Sequence, residues 1–248
     1  MSRTNKRSIH RGLNIKHETS VNLKDQAKLQ KLGLEKKYFG RELKSIRLLF
    51  LNRVFEGVGI KNINGGWEVF CENLNTFIDE KFKCENGDCI SSWRLKCSIP
   101  LLTFYDENFL NNKNTDKIIR HQVVTIGNVG ITFFPKIKGC RSNKCLLFLT
   151  FLDYMSFKSL EKDFHIETNN YDCIIMNSIT NFPTMLLDSE NYEHVYCFFS
   201  NDVAGITMRK TMEQRNPHRV LDMQQYYQGY HSLFDCLTRK KNSLKNYK

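Results

Sequence analysis

An apolar run that changes into a helical pattern, at residues 144–157, constrains the fold more than any other stretch. Residues 145–149 (CLLFL) form an unbroken apolar series, which is typical of a parallel strand buried on both faces. After Thr150 the apolar spacing becomes helical, and one shared face contains Leu152, Met155, Ser156 and Leu160. The stretch therefore predicts a strand followed directly by a helix.

The same alternation is repeated further along the chain. Three more strand-like runs, each followed by a segment of helical character, lie at residues 173–176, 195–199 and 220–223. Strands that alternate with helices indicate a parallel sheet with crossover helices. Ligands bind at the carboxyl ends of the strands in such sheets. The residues expected along that edge are 149–150, 177–178 and 200–202.

A tight hairpin is expected in the N-terminal half. Residues 46–60 are rich in β-forming types, and Gly65 and Gly66 precede the strand-like run 67–70. We expect both glycines to adopt the positive φ that such a turn requires. The expected strands are residues 54–62 and 66–71.

The segments around the hairpin have weaker patterns. Residues 21–44 are typical of one or two amphipathic helices interrupted near Gly33 and Gly40. Residues 123–134 favour one or two strands, and the asparagine-rich residues 104–117 favour a loop. The chain as a whole is expected to divide into four regions: a flexible basic arm (1–20), an α+β region (21–140), an α/β domain (141–238) and a basic tail (239–248).

Positive charge is concentrated at the two ends of the chain. Residues 1–48 carry 13 Lys/Arg against 4 Asp/Glu, residues 239–248 carry 5 against none, and the remainder carries 19 against 22. Basic ends on a slightly acidic body favour a polyanionic partner, most often nucleic acid, through counterion release. Lysine-rich ends that only maintain solubility are the alternative. The candidate phosphate-binding residues are Arg3, Lys6, Arg7, Arg11, Arg239, Lys240 and Lys241.

Several classes of protein are excluded at this stage. The longest apolar stretch is far shorter than the roughly 20 residues that a membrane helix needs, so no membrane association is expected. The basic start is not followed by an apolar segment, so we expect no signal peptide and a cytoplasmic location. Nine irregularly spaced cysteines then indicate reduced thiols.

Five of those cysteines raise the question of zinc. Cys84 and Cys89 are separated by four residues, as are Cys140 and Cys145, and Cys97 lies between the two pairs. The spacing is at the margin for structural zinc, and Cys145 belongs to the predicted buried strand. Zinc is therefore not expected.

Ordered motifs in the C-terminal half resemble the Toprim (topoisomerase–primase) family. Residues 149–157 (LTFLDYMSF), 176–181 (MNSITN) and 199–205 (FSNDVAG) match the family patterns EGFMDFLSF, LNSVxN and LDNDxAG. Asp222-Met223 with the tyrosines after it, residues 229–235 and residues 59–68 follow DMSxxY, GYKDLND and GFKNxxGGYE. The matches are particularly similar to the primase-like Toprim proteins carried by mobile elements of Bacteroidetes. The resemblance covers roughly residues 45–70 and 144–238. It implies a Toprim-like parallel sheet with flanking helices, preceded by a small α+β, primase-like region that contains the hairpin.

This sequence departs from the family where the chemistry should be. The resemblance implies a Mg²⁺ site made of a Glu after the first strand and an Asp-x-Asp after the third, because this hard cation prefers oxygen ligands. Leu149 stands at the Glu position and Ser200 at the first Asp position, so only Asp202 remains. The family's KDLND has become residues 231–235 (HSLFD). These losses imply a domain that has kept the fold and lost catalysis.

Two roles for the remaining acidic residues stay open. Asp202 can cap the helix that begins at Val203, or it can contribute to a weak residual Mg²⁺ site, and the two roles are compatible. The other carboxylates of that site would be Asp153 and Asp235, with Asp222 nearby in the pattern. Glu56, in a VFEG segment, lies 146 residues before Asp202, whereas Leu149 lies 53 residues before it. We therefore interpret Glu56 as a surface glutamate on a strand.

We expect a nucleic-acid-binding Toprim protein, related to primases or mobilisation proteins, that has lost catalysis. DNA is expected rather than RNA, and replication or mobilisation proteins are candidate partners. One alternative is a protein-binding regulator or inhibitor on the same scaffold. The other is a Mg²⁺-dependent nucleotidyl-transfer or nicking enzyme that uses Asp202, Asp153 and Asp235. The apolar Leu149 argues against an enzyme, because it can neither transfer protons nor bind metal.

Overall fold

Two five-stranded sheets organise the chain in the computed structural model, which describes residues 13–34, 40–81, 123–136, 140–161 and 171–245. Within these ranges six α-helices accompany the sheets. The architecture is therefore mixed α/β. No helix in the described ranges is long and apolar enough to cross a membrane.

The first sheet is antiparallel throughout, with its strands in chain order. Its strands are β1 (Asn14–Ser20), β2 (Lys44–Phe50), β3 (Arg53–Lys61), β4 (Trp67–Phe70) and β5 (Val123–Ile126). The expected hairpin is confirmed as β3 and β4, which pair from Val58 opposite Phe70 to Lys61 opposite Trp67. The expectation of a flexible arm over residues 1–20 is wrong for residues 14–20. Their backbone pairs with β2 at the edge of this sheet, and residues 1–12 lie outside the described ranges.

The turn between β3 and β4 needs its two glycines for different reasons. Gly65 has φ of +77°, as predicted. Gly66 does not have a positive φ, so that part of the prediction is wrong. A methyl group at Gly66 would overlap the carbonyl of Asn128, so close backbone approach excludes a side chain there.

In the described part of residues 21–44, where one or two helices were expected, the structure shows one helix, α1 (Leu23–Lys31). Asn22 caps its start by accepting a hydrogen bond from the Asp25 N–H, and Gly33 ends it at φ of +94°. Residues 35–39 lie outside the described ranges, and the chain then enters β2 at Lys44. Helix α2 (Glu72–Lys81) follows β4.

The second sheet contains the predicted parallel strands. Its members are β6 (Thr132–Phe134), β7 (Lys144–Phe148), β8 (Tyr171–Ile175), β9 (His194–Phe198) and β10 (Val220–Asp222). They are arranged in the order β10-β9-β7-β8-β6, and β7 to β10 run parallel while β6 is antiparallel to β8. One or two strands were expected within residues 123–134, and two form there, β5 and β6, which belong to different sheets.

A helix follows each parallel strand. These helices are α3 (Phe151–Leu160), α4 (Phe182–Ser189), α5 (Val203–Arg215) and α6 (Leu233–Lys245). The predicted apolar face of α3 is confirmed, because Leu152, Met155, Ser156 and Leu160 are all buried.

One apolar cluster joins the two sheets. It includes Val58 and Phe70 from the first sheet, Phe148 from β7 and Phe234 from α6. The rings of Phe70 and Phe234 lie 6.4 Å apart in an edge-to-face arrangement. The described parts of the two predicted regions therefore share a core, and the boundary at residue 140 stays a prediction.

Candidate functional site at the strand ends

The carboxyl ends of β7, β8 and β9 lie at one edge of the parallel sheet. β7 pairs in parallel register with β8 on one side and with β9 on the other, so the residues after these strands share this edge, as predicted. The chain passes from β7 to β8 and then crosses to β9 on the opposite side. The strand order therefore reverses at β7. Such switch points are where α/β sheets bind ligands.

Leu149, which follows β7, belongs to the apolar core. Its side chain is 5% exposed and lies in a cluster with Met176 and Phe199. Its carbonyl oxygen accepts a hydrogen bond from the backbone N–H of Asn177 at 2.8 Å. The position at which the resembled family has a glutamate is therefore filled by a packed aliphatic side chain.

Asp202 caps helix α5, which confirms one of its two predicted roles. Its Oδ1 accepts hydrogen bonds from the Gly205 N–H at 2.7 Å and from the Ser200 hydroxyl at 2.9 Å. A methyl group at Gly205 would overlap the carbonyl of Ser200, so the first turn of α5 packs directly on the end of β9. Ser200 thus supports this carboxylate where the family has a second one.

His231 forms an ion pair with Asp202. Its Nε2 lies 3.2 Å from Oδ2 of Asp202, and the two side chains are 20% and 13% exposed. Burial acts to lower the pKa of His231, but the hydrogen bond to Asp202 and the charges of Asp202, Asp153 and Asp235 outweigh it and raise the pKa. Burial likewise acts to raise the pKa of Asp202, yet its hydrogen bonds, chiefly from His231, lower the pKa overall.

The loop between β10 and α6 carries His231 and packs on the end of β9. The Tyr227 hydroxyl donates a hydrogen bond to the Phe199 carbonyl at 2.6 Å. The Asn201 N–H donates to the His231 carbonyl at 2.8 Å. His231 was not among the residues predicted for the site. The signal in the sequence was its place at the lysine of the family pattern GYKDLND.

Asp153 is buried in the first turn of α3 and connects that helix to α6. Its Oδ1 accepts a hydrogen bond from the Phe234 N–H at 3.1 Å, and the Thr150 hydroxyl donates to its Oδ2 at 2.8 Å. Burial raises the pKa of Asp153, although both hydrogen bonds act in the opposite direction. This carboxyl group therefore has a structural role at the start of two helices.

Asp235 and Asp222 are each paired with an arginine. Asp235 accepts a hydrogen bond from the His231 N–H at 3.1 Å and another from Arg239 Nε at 2.8 Å. Asp222 lies 2.7 Å from Arg209 Nη1. Both residues thus contribute to local ion pairs.

Asn177 and Ser178, at the end of β8, organise loops. Asn177 adopts φ of +63° and donates through Nδ2 to the Gly130 carbonyl and the Thr132 hydroxyl, both at 2.9 Å. Ser178 caps the short 3₁₀ turn before α4 by accepting from the Thr180 N–H. These contacts connect β8 to the segment that leads into β6.

The residues present do not fit a Mg²⁺ ion held as in the resembled family. Two of the three family ligands are replaced by Leu149 and Ser200, and both carboxylate oxygens of Asp153, Asp202 and Asp235 already contact protein donors. Across the described residues, no group of three or more His, Cys, Asp or Glu is placed to hold a metal ion. The weak residual site at these three aspartates stays a prediction.

Of the five cysteines with spacing close to that of a zinc site, the structure describes two, Cys140 and Cys145. Cys84, Cys89 and Cys97 lie outside the described ranges. Cys140 is exposed, whereas Cys145 is buried in β7, and burial raises the pKa of its thiol well above the usual range. Because zinc binds the thiolate, Cys145 is poorly suited as a ligand.

The predicted phosphate-binding residues are only partly within the described ranges. Arg3, Lys6, Arg7 and Arg11 lie outside them, and Lys240 and Lys241 belong to α6 with side chains that are not described. Arg239 is exposed and pairs with Asp235. Glu56 lies on β3, where it pairs with Lys24 and Arg47, as expected for a surface glutamate.

Comparison with known proteins does not assign this chain to a family. No protein-family model matches the sequence, and no curated protein matches it. A crystal structure of the primase fragment of the bacteriophage T7 primase-helicase protein is similar over 91% of this chain and 72% of that chain, with 10% identity and a TM-score of 0.45. A likeness at this level assigns neither a fold nor a function.

Proposed function

We propose that this protein binds nucleic acid and that its Toprim-like strand-end site does no catalysis of its own. The proposed loss of catalysis rests on the buried Leu149 at this edge, where the one remaining carboxylate, Asp202, caps α5 and pairs with His231. An aliphatic side chain at this position cannot act as a general acid or base or bind a cation. The remaining carboxylate, Asp202, is already hydrogen-bonded to an imidazole of the same chain.

The distribution of charge supports nucleic acid as the partner. Residues 13–34 and 40–61, which contain β1 to β3 and α1, carry nine Lys/Arg against four Asp/Glu. One of those four acids, Asp25, is buried beneath Ser45. A basic surface of this kind binds phosphates with release of counterions, and the basic segment 1–12 precedes it.

The motif resemblance supports a primase or mobilisation lineage for this activity. The order of motifs over residues 144–238 supports a Toprim-like domain, and the reversal of strand order at β7 is typical of α/β sheets that bind ligands at this edge. We expect DNA rather than RNA as the ligand, replication or mobilisation proteins as partners, and a cytoplasmic location.

Fluorescence anisotropy tests the proposal. The full chain is titrated against labelled single- and double-stranded DNA and RNA at several salt concentrations, with and without Mg²⁺. We expect micromolar or tighter binding to DNA that weakens steeply with salt and does not require Mg²⁺. No binding at low salt would contradict the proposal and favour a protein-binding regulator. A Mg²⁺ requirement would favour the metal-dependent enzyme.

A further inference from the structure

The turn between β2 and β3 holds a leucine where the backbone favours glycine. Phe50 pairs with Arg53, so Leu51 and Asn52 alone form the two-residue turn. Their φ angles are +46° and +62°. Turns with two positive φ values are normally made by Asn-Gly, because an L side chain such as leucine is strained in the left-handed region.

Burial of the side chain does not offset the backbone strain at Leu51. Leu51 is 48% exposed and Val54 is 59% exposed. Leu49, the cross-strand partner of Val54, is half-buried. These three residues, Leu49, Leu51 and Val54, form what we term the apolar tip. Exposed strain in a folded protein points to a function at that site.

Cations flank the apolar tip on both faces of the hairpin. Arg47 lies on the face of Leu49, and Arg53 lies on the opposite face, since side chains alternate along a strand. The Arg53 guanidinium stacks over the Phe77 ring at 4.7 Å, which fixes its position. Arg47 is 3.2 Å from Glu56, but Lys24 contacts the same glutamate at 2.7 Å, so positive charge remains in excess.

A further cation lies on the neighbouring edge strand. The register of β1 against β2 shifts between Ile15 and His17, so Lys16 lies at a β-bulge and is exposed. Bulges of this kind turn a side chain away from the sheet. Lys16, Arg47 and Arg53 are thus exposed cations on the two strands of the hairpin and on the edge strand beside it.

We propose that the β2–β3 hairpin inserts Leu51 between base pairs of duplex DNA while Arg47, Arg53 and Lys16 bind the flanking phosphates. This rests on the proposed nucleic-acid function. Proteins that bend or open DNA insert aliphatic wedges between base steps and hold the backbone on either side with basic residues. A protein partner would require a larger apolar surface than these few aliphatic side chains offer. Because arginines lie on both faces of the hairpin, we favour DNA.

The test uses the full chain and a duplex of about 20 base pairs with 2-aminopurine substitutions, whose fluorescence rises when a base is unstacked. Leu51→Gly removes the wedge and also relieves the positive-φ strain, so this variant folds and its melting temperature should rise. Leu187→Ala is the matched control, because Leu187 is a 58% exposed leucine on α4, a helix whose buried residues Met185 and Leu186 pack with the strands of the second sheet.

We expect wild type and Leu187→Ala to bind alike and to raise 2-aminopurine fluorescence. Leu51→Gly should bind about tenfold more weakly, without the fluorescence rise and with the same salt dependence. Arg47→Ala should lower the slope of log affinity against log salt by about 1.

Three results would overturn the inference. If Leu51→Gly binds and unstacks DNA like wild type, the wedge is wrong although the proposed nucleic-acid function stands. If it leaves DNA binding intact but abolishes self-association in sedimentation, the tip is a contact between copies of the chain. If wild type binds no nucleic acid, the wedge and the proposed function fail together.

Discussion

Nε2 of His231 and Oδ2 of Asp202 lie 3.2 Å apart at the end of β9. The pair joins the first turn of α5 to the loop that precedes α6, while Oδ1 of the same carboxylate caps α5 through the Gly205 N–H. One aspartate therefore holds two helices in place. When His231 is protonated, its imidazolium lies against this carboxylate as the counter-charge.

The ion pair predicts a stability optimum in mildly acidic solution. The pKa of His231 is raised above its ordinary 6.5, so its contribution is full below pH 6.5 and is lost as the pH rises through the folded-state value. The pKa of Asp202 is lowered below its ordinary 3.8, so its contribution is lost as the pH falls through the folded-state value. Wild type should therefore exceed His231→Gln in free energy of unfolding by about 1 to 2 kcal/mol between pH 4 and 6.5. Urea titrations of both proteins from pH 4 to 9 measure this, and a difference that grows above pH 7 would contradict it.

Two substitutions at Asp202 separate its capping role from metal binding. Asn is a good N-cap, so Asp202→Asn should retain the hydrogen bond to Gly205, whereas Asp202→Ala should lose it and cost about 1 kcal/mol more. Nucleic-acid affinity of both variants should remain close to wild type. Thermal melts and anisotropy with and without Mg²⁺ provide the measurements. A large loss of affinity confined to Mg²⁺-containing buffer would instead support a surviving metal site.

The central strands of the parallel sheet could be predicted because each one is marked by a short, continuous apolar segment of the sequence. Residues 145–149 form a continuous apolar run, and the strand and helix at this point follow directly from that pattern. β1 could not be predicted, because its sequence NIKHETS is almost wholly exposed, and only pairing with β2, about 30 residues away, makes it a strand. The motif pattern singles out the position of His231, but its contact with Asp202 could not be predicted, because it depends on how the loop after β10 folds onto β9.

A second pH effect, of the same sign as that of His231, originates in the first sheet. Glu68 on β4 is fully buried, and burial raises its pKa to about 7, although hydrogen bonds from Thr125 and Asn62 act to lower it. Because the folded pKa exceeds the ordinary 4.5, the folded state binds the extra proton between pH 4.5 and 7. Stability should therefore fall by about 3 kcal/mol as the pH rises through this window.

Glu68→Gln should remove that loss, because an uncharged glutamine can still accept from Asn62 through its one oxygen, while its Nε2 donates to the Thr125 hydroxyl instead of accepting from it. We expect the variant to be more stable than wild type at pH 8 and similar below pH 4.5, as measured by urea unfolding. Glu56→Gln is the control on the neighbouring strand. Its carboxylate has a lowered pKa through Lys24 and Arg47, so this variant should gain nothing at pH 8. Equal behaviour of the two variants would contradict the assignment to Glu68.

Replacing Leu149 by the glutamate of the resembled family should destabilise the fold. Leu149 lies in an apolar cluster with Met176 and Phe199, and among the described residues of that cluster none carries a positive charge. Leu149→Glu would bury an uncompensated carboxylate and should cost roughly 3 kcal/mol or more in free energy of unfolding. Leu149→Met, a volume-conserving control, should cost less than about 1.5 kcal/mol. Unfolding in urea compares the two, and Mg²⁺ titration calorimetry of Leu149→Glu/Ser200→Asp tests for recovered metal binding. If that double variant folds as stably as wild type and binds Mg²⁺, the position is an accessible edge of the sheet and Leu149 is not part of its core.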